Sequence, residues 1–354
     1  MQEKKEIQET IDKVPREKVT EEEFYSVLKL ISPGTNLRKA LDGILRLGKG
    51  ALIVAEKPGL QKIIDGGFRV NCKFSYQKLI ELSKLDGAII LSNDLKRIIF
   101  ANVLLTPISK IRTSETGTRH KAAERTAKQI SGLVIAISEK RKEIILFYKN
   151  KKYKIRDTQE IVSKVNEYIQ VLERQRELFD SFLETLNRLE FKNYINLSHA
   201  IKTIQKGKVI QKISDELLKY LIELGKEGEL LKTRLREILH DVEEETNLII
   251  KDYSKMDDKK AIYFLNDLSY DELLDRDRIL RILNYENPRE MVSIAGWRIL
   301  SKTTLTEPEI AGLIKEAESF EKILSSNLET EFSSFPKDKF SLLKVELEKL
   351  KLGI

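Results

Sequence analysis

Between Pro107 and Pro288 the chain has no proline, and between Gly132 and Gly207 it has no glycine. A stretch lacking both residues that end or kink helices can run as uninterrupted helix for many turns. Within it, side chains recur at alternating spacings of four and three: Ile161, Val165, Tyr168, Leu172, Gln175, Phe179, Phe182, Leu186 and Leu189. Only Gln175 interrupts the apolar series. The spacing predicts one long helix with a single seam, packed in a bundle or coiled coil. A second series, Ile210, Ile213, Leu217, Leu221 and Leu224, resumes from Leu231 to Ile250 and predicts further helices. Such a region acts as a spacer that sets distance and orientation.

The segment before it differs in kind. Ten of the sixteen glycines precede residue 133. Residues 51–55 (ALIVA), 68–74 (FRVNCKF), 88–92 (AIILS), 97–105 (RIIFANVLL), 133–138 (LVIAIS) and 144–148 (IILFY) are rich in β-branched residues and bounded by turn chemistry, which predicts strands. Helical patterns at 36–47, 76–84 and 118–131 fall between them. From Pro288 on, shorter helical patterns are punctuated by Gly296, Pro308 and Gly312, and Thr306, Pro308 and Glu309 form a helix-start signature. The predicted architecture is multidomain, α/β followed by all-α. Residues 1–150 form an α/β domain with a mixed sheet, 151–287 a long-helix spacer and 288–354 a small helical domain.

Charge and cysteine content narrow the function. The net charge of +7 divides as +10 over 1–150, +1 over 151–260 and −4 over 261–354. A basic first part suits a polyanionic ligand, nucleotide or nucleic acid, and equally an ordinary lysine-rich surface. The single cysteine, Cys72, excludes a disulfide framework and a Cys-based zinc site. His199 and His240 have no partners at ligand spacing, so neither a zinc site nor a nucleophilic triad is expected. No apolar run reaches the roughly 20 residues of a membrane span, and the charged N-terminus does not resemble a secretory signal. A reducing cytoplasmic setting without membrane attachment is expected.

Three motifs bear on chemistry. GILRLGKG, Gly43–Gly50, nearly matches a phosphate-binding loop, but it ends a helix and precedes a strand, and Gly50 replaces the required hydroxyl residue. It reads as a helix C-terminus followed by a turn. In LDGAIILSND, Asp86 sits at the mouth of a buried strand, where a carboxylate can hold a divalent metal or orient a hydroxyl. Gly87 beside it leaves room for a ligand to approach the backbone; Asp-Gly is equally a plain turn pair. In GTRHKAAERTAKQISG, Gly117 and Thr118 open a helix whose free N–H groups form an anion site. Arg119 and Lys121 oppose the helix dipole there unless an anion is bound, and His120 between them can donate to a phosphate oxygen.

The pair of motifs Asp86-Gly87-Ala88 and Gly117-Thr118-Arg119-His120-Lys121, with NVLLTP between them, resembles the diadenylate cyclase domain. The order of parts, cyclase domain, helical spacer and small helical domain, resembles the DNA-integrity-scanning branch of that family along essentially the whole chain. The resemblance implies condensation of two ATP molecules into cyclic di-AMP with release of two pyrophosphates. By it, Asp86, Arg119 and His120 are catalytic, and Asp86 holds the metal, Mg²⁺ or Mn²⁺. Gly87 and Leu105 line the adenosine pocket, while Thr118, Arg119 and His120 hold the phosphates, with Ser138 close by and Lys121 also binding ATP. It further implies a homo-octamer of head-to-head cyclase domains, because each domain holds one ATP.

Departures from the family pattern are Lys121 for arginine, Ala122 for a frequent threonine, and Glu139 where a basic residue is expected, with Lys140 or Arg141 as substitutes. The C-terminal domain resembles a helix-hairpin-helix that binds branched DNA, with Arg298 and Lys302 as expected phosphate contacts. The segment ILSKTTLTEPEIAGLIKEA lacks the usual hydrophobic-Gly-hydrophobic hairpin. The rival reading is a DNA-junction or nucleotide sensor whose cyclase site has decayed.

Overall fold

The computed structural model describes residues 19–194, 197–325 and 339–352. They fall into two compact units, one from residue 19 to 164 with 219–230 and one over 165–218 and the described residues from 231 onwards.

The first unit is built on an eight-stranded mixed sheet. Its strands are β1 (Ala51–Ala55), β2 (Ile64–Asp65), β3 (Phe68–Lys73), β4 (Ala88–Leu91), β5 (Arg97–Leu105), β6 (Leu133–Ser138), β7 (Glu143–Tyr148) and β8 (Lys151–Ile155). The order is β2-β5-β4-β1-β6-β7-β8, with β3 also pairing β5. β1 and β4 are parallel, and the other pairs are antiparallel. The sheet continues through KKYKI beyond residue 150, and β8 forms its lysine-rich edge. Lysines on an edge strand discourage pairing with other chains.

Helices α1 (Glu21–Leu30), α2 (Asn36–Arg46), α3 (Tyr76–Leu82) and α4 (Thr118–Ile130) flank the sheet. Successive strand residues point to opposite faces, so each central strand feeds two cores. Ile53, Ile89, Leu91, Ile135, Ile137 and Leu146 pack with Phe24, Leu41 and Ile44 of α1 and α2. Val54, Ile90, Val134, Ala136 and Phe147 pack with Ala123, Ala127 and Ile130 of α4. With both faces covered, β1, β4 and β6 are buried along their whole length, which explains their unbroken apolar runs. The GILRLGKG segment is the end of α2 and a turn into β1, with Gly48 in the left-handed region at φ 67°.

The long helix is α5 (Thr158–Phe191), 34 residues in one piece, about 50 Å at 1.5 Å per residue. Every seventh residue of its seam, Val165, Leu172, Phe179 and Leu186, is buried. Tyr168, Gln175, Phe182 and Leu189 are half-buried. The polar interruption is satisfied, since Gln175 Oε1 accepts from Lys206 Nζ at 2.8 Å. Lys206 lies on α6 (Leu197–Leu224), followed by α7 (Glu229–Leu239) and α8 (Val242–Tyr253). Gly207 lets α6 approach α8 closely; a Cβ there would lie 3.0 Å from Thr246 Cβ.

The second unit ends in helices 297–300, 307–317, 320–325 and 340–352. Glu309 Oε2 accepts from both the N–H and the hydroxyl of Thr306 at 2.8 Å, the expected helix start. Arg298, expected on the surface as a DNA contact, is instead fully buried. Its Nη2 pairs with Glu190 of α5 and donates to Asn187 Oδ1 at 3.2 Å, and its Nη1 lies 3.6 Å from Glu245. A buried guanidinium needs such partners, and α5 and α8 supply them. Lys302 remains partly exposed and pairs with Glu245 at 2.5 Å.

Candidate active site

A cleft of about 640 Å³ opens at one end of the sheet. Leu52, Ala88, Val103, Leu104 and Leu105 give it apolar walls, and Asp86, Asn102, Thr118 and Arg119 add polar groups. Five residues singled out in the sequence, Asp86, Gly87, Leu105, Thr118 and Arg119, therefore meet in one place. Asp86 is brought there by the turn that ends α3 and feeds β4. Thr118 and Arg119 are brought there by the start of α4, whose axis is set by packing Ala123 and Ala127 on the sheet.

α4 begins without a side-chain cap and without an acid in its first turn. Its first N–H groups are left for an external acceptor, and the helix dipole favours an anion there. The run Thr118–Lys121 does not face the cleft as a block, because each residue turns about 100° around the helix. Thr118, Arg119 and Ala122 line the cleft; His120, Lys121 and Ser138 lie off its walls.

His120 is half-buried, and its Nε2 is buried with no hydrogen-bond partner. Burial lowers its pKa most; Glu115 pulls it up, while Arg141, Arg119 and Lys152 push it down, leaving it below the ordinary imidazole value. Burial therefore favours the neutral ring, and its Nε2 is unused. Arg141 thus sits in the electrostatic range of His120, while Glu139, where the family pattern expects a cation, is exposed. Ser138 is buried at the end of β6, and its Oγ accepts from the Arg141 N–H at 3.2 Å.

Two glycines have roles that differ from their sequence reading. Gly87 is required by the protein's own backbone: a Cβ there would lie 2.6 Å from both Asn102 Cα and Val103 N. Its N–H donates to Asn102 Oδ1 at 3.1 Å. Asn102 takes the left-handed conformation, φ 56°, where the register between β4 and β5 shifts. Such a bulge re-aims side chains, and here it fixes the turn that carries Asp86. Gly50 seats Arg119: a Cβ there would collide with the guanidinium, with Cζ 2.9 Å away, and lie 3.2 Å from the Ile137 carbonyl oxygen. Asn102 opens the NVLLTP segment and Gly50 ends GILRLGKG, but the sequence assigns neither of them to the site.

Among the described residues no group of three or more His, Cys, Asp or Glu side chains could hold a metal. A single exposed carboxylate, Asp86, fits a hard divalent cation that takes its remaining ligands from water and substrate phosphates, as Mg²⁺ commonly does.

A mixed α/β sheet whose uncapped basic helix start faces a carboxylate across an apolar-walled cleft defines a nucleotide-binding domain of the phosphoryl-transfer class. Residues 38–152 match the family described as DisA bacterial checkpoint controller nucleotide-binding, and residues 155–292 its linker region. DNA integrity scanning protein DisA of Clostridioides difficile is 39% identical over 310 residues, covering 85% of this chain and 87% of its own length. Its counterpart in Thermotoga neapolitana is 40% identical over 320 residues, covering 87% and 91%. A solved DacA structure from Staphylococcus aureus is 26% identical, covers 40% of this chain and 95% of its own, and gives a TM-score of 0.32. The chain belongs to the DNA integrity scanning protein DisA family.

Proposed function

We propose that the chain is a diadenylate cyclase, condensing two ATP molecules into cyclic di-AMP and releasing two pyrophosphates. The observation that carries this is the cleft, where Asp86, Arg119 and the free N–H groups of α4 converge beside apolar walls. Val103, Leu104 and Leu105 offer adenine an apolar surface. Thr118 and Arg119 meet the triphosphate, with His120, Lys121 and Ser138 close behind them. Asp86 orients the ribose 3′-hydroxyl and takes up its proton as the oxygen bonds to the α-phosphorus of the facing nucleotide. The bond from that phosphorus to its β-phosphate bridging oxygen breaks and pyrophosphate leaves; the same step in the opposite direction closes the ring and releases the second pyrophosphate. Such a transfer depends on alignment and charge neutralisation more than on covalent help. A bound Mg²⁺ or Mn²⁺, held by Asp86 and the phosphates, would neutralise phosphate charge.

One cleft of this size takes one nucleotide, so two protomers must face each other for a turn of cyclisation. This fits a homo-oligomer, with an octamer of head-to-head domains as the arrangement the family resemblance supports. The functional division is 1–150 for cyclisation, 151–287 for spacing and 288–354 for branched-DNA contact. With Arg298 buried, DNA phosphates are left to backbone amides and to partly exposed cations such as Lys302. No helix among the described residues is long and apolar enough to cross a membrane.

The test is chromatography of products after the purified chain meets ATP with Mg²⁺ or Mn²⁺. Cyclic di-AMP supports the cyclase. ATP binding without product in either metal supports a nucleotide sensor, a reading favoured by Ala122, which places a methyl group on the cleft wall where a hydroxyl is frequent.

Gly50→Ala separates binding from folding. Its methyl displaces the mobile end of Arg119, and the cost to stability is about 1 kcal/mol. Loss of the charge-assisted contacts of Arg119 weakens ATP binding by about ten-fold. Calorimetric titration beside a melting curve measures both; equal affinity in the two proteins would show that Arg119 does not need its seat.

A further inference from the structure

The twelve residues from Thr106 to Gly117 join two sides of the cleft, Leu105 at the end of β5 and Thr118 at the start of α4, without regular secondary structure. A connection this long inside a compact domain must be held by side chains, because its backbone groups have no ladder to bond with.

Thr106 donates to the Ile63 carbonyl at one end and Glu115 pairs with Lys152 of β8 near the other, but the side chains that hold the middle come from one face of α4. Glu124 Oε2 accepts from Thr113 Oγ1 at 2.5 Å and from the Ser114 N–H at 3.0 Å. Glu124 Oε1 accepts from Lys128 Nζ at 2.6 Å, and the same ammonium donates to the Arg112 carbonyl at 2.9 Å. Arg125 Nε donates to the Ile111 carbonyl at 3.0 Å, and Gln129 Oε1 accepts from the Ile108 N–H at 2.9 Å. Positions 124 and 128, like 125 and 129, lie one turn apart on the helix, so four side chains grip four consecutive loop residues, Ile111 to Ser114, and Ile108 before them.

Glu124 is the centre of this clamp. It is buried, yet both of its oxygens are used. Burial raises its pKa, but hydrogen bonds from Lys128 and Thr113 outweigh that and hold it below the ordinary carboxylate value. An ionised carboxylate with several donors fixes geometry more firmly than a neutral pair would.

We propose that Glu124 is a positioning residue for the cyclase reaction: by locking Thr113 and Ser114 onto α4, it sets the span between Leu105 and Thr118 and so the width of the nucleotide cleft. Glu124 does not line the cleft, so its effect reaches the nucleotide through the loop. This rests on the reading of the cleft as the ATP site.

The experiment measures KM and kcat for cyclic di-AMP formation by the full chain and by Glu124→Ala, Glu124→Gln and Thr113→Val. Glu124→Ala is expected to raise KM for ATP about ten-fold, the loss of one charged hydrogen-bonded contact, with kcat changed less. Glu124→Gln keeps an oxygen for Thr113 and Ser114 and should recover most of the affinity. Thr113→Val, which removes one donor and spares the carboxylate, should raise KM in the same direction even if Glu124→Ala fails to fold. A fall in kcat at constant KM, the mark of fewer folded molecules, would overturn the proposal, as would unchanged kinetics in Thr113→Val. A wild-type chain that binds ATP and yields no product would instead overturn the cyclase reading, and the two failures are thereby distinct.

Discussion

Asp86→Asn is expected to abolish formation of cyclic di-AMP while leaving the protein folded and able to bind ATP. Asp86 is exposed, and among the described residues no hydrogen bond or ion pair of its carboxylate holds the fold together. Asparagine matches it in size, so the substitution removes charge and basicity and little else. What it removes is the one carboxylate in the cleft, the group that would accept the 3′-hydroxyl proton and hold a divalent cation. Loss of a positioned general base costs about 10²–10⁴-fold in rate, before any loss of metal affinity is added. Product chromatography with Mg²⁺ and with Mn²⁺, beside an ATP titration and a melting curve, separates the outcomes. Unchanged melting and retained ATP binding with no product would place Asp86 in the chemical step. A variant that cyclises ATP near the wild-type rate would remove it from that step.

The parts of this molecule that were legible in the sequence are those governed by local pattern. β1, β4 and β6 lie under helices on both faces, so their residues form apolar runs that announce strands. The seam of α5 is legible for the same reason, since one face of a regular helix imposes one period. β8 was missed because an edge strand has no such constraint: Lys151, Lys152 and Lys154 alternate with Tyr153 and Ile155, and lysine is a poor strand signal. α1 was also missed, although Thr20 caps it, accepting from the Glu23 N–H at 3.2 Å, and three glutamates occupy its first turn.

The site divides along the same line. Asp86, Thr118 and Arg119 announce themselves through the paired motifs Asp86-Gly87-Ala88 and Gly117-Thr118-Arg119-His120-Lys121, which carry the family resemblance, since either motif alone also reads as an ordinary turn or helix start. Gly50, Asn102 and Glu124 lie within the segments GILRLGKG, NVLLTP and GTRHKAAERTAKQISG, but their parts stay hidden there, since each acts on a residue distant in sequence or on a loop with no pattern. Gly50 reads as part of a failed phosphate loop until the Arg119 guanidinium is found lying over it. His120 shows the converse limit: its motif is plain, but a helical turn takes its ring off the cleft wall and into the field of Glu115, Arg141 and Lys152.

Arg298 marks where a surface reading of charge fails altogether, and its removal should have the largest effect on stability. The guanidinium is fully buried beside Glu190, 108 positions away in sequence, so no local pattern could place it. The network around it is continuous. Glu190 also accepts from the Tyr253 hydroxyl at 2.8 Å. Asp252 accepts from the N–H groups of Gly296, Trp297 and Arg298 at 3.0, 2.8 and 2.9 Å, which fixes the start of helix 297–300. Arg298→Met fills similar volume but leaves Glu190 buried with a carboxylate and no cation against it. Removing one partner of a buried pair costs about 3–5 kcal/mol. The only tryptophan in the chain, Trp297, adjoins the site, with Lys251 Nζ 3.2 Å from its ring centre, so its fluorescence reports unfolding of this unit in particular. In urea the Trp297 transition should move down by about 1–3 M in Arg298→Met. Adding Glu190→Gln should restore part of that loss, because it removes the stranded charge. A midpoint unchanged in Arg298→Met would mean that the buried pair does not hold the C-terminal helices to α5. A large loss without rescue would assign the cost to packing of the long side chain and not to its charge.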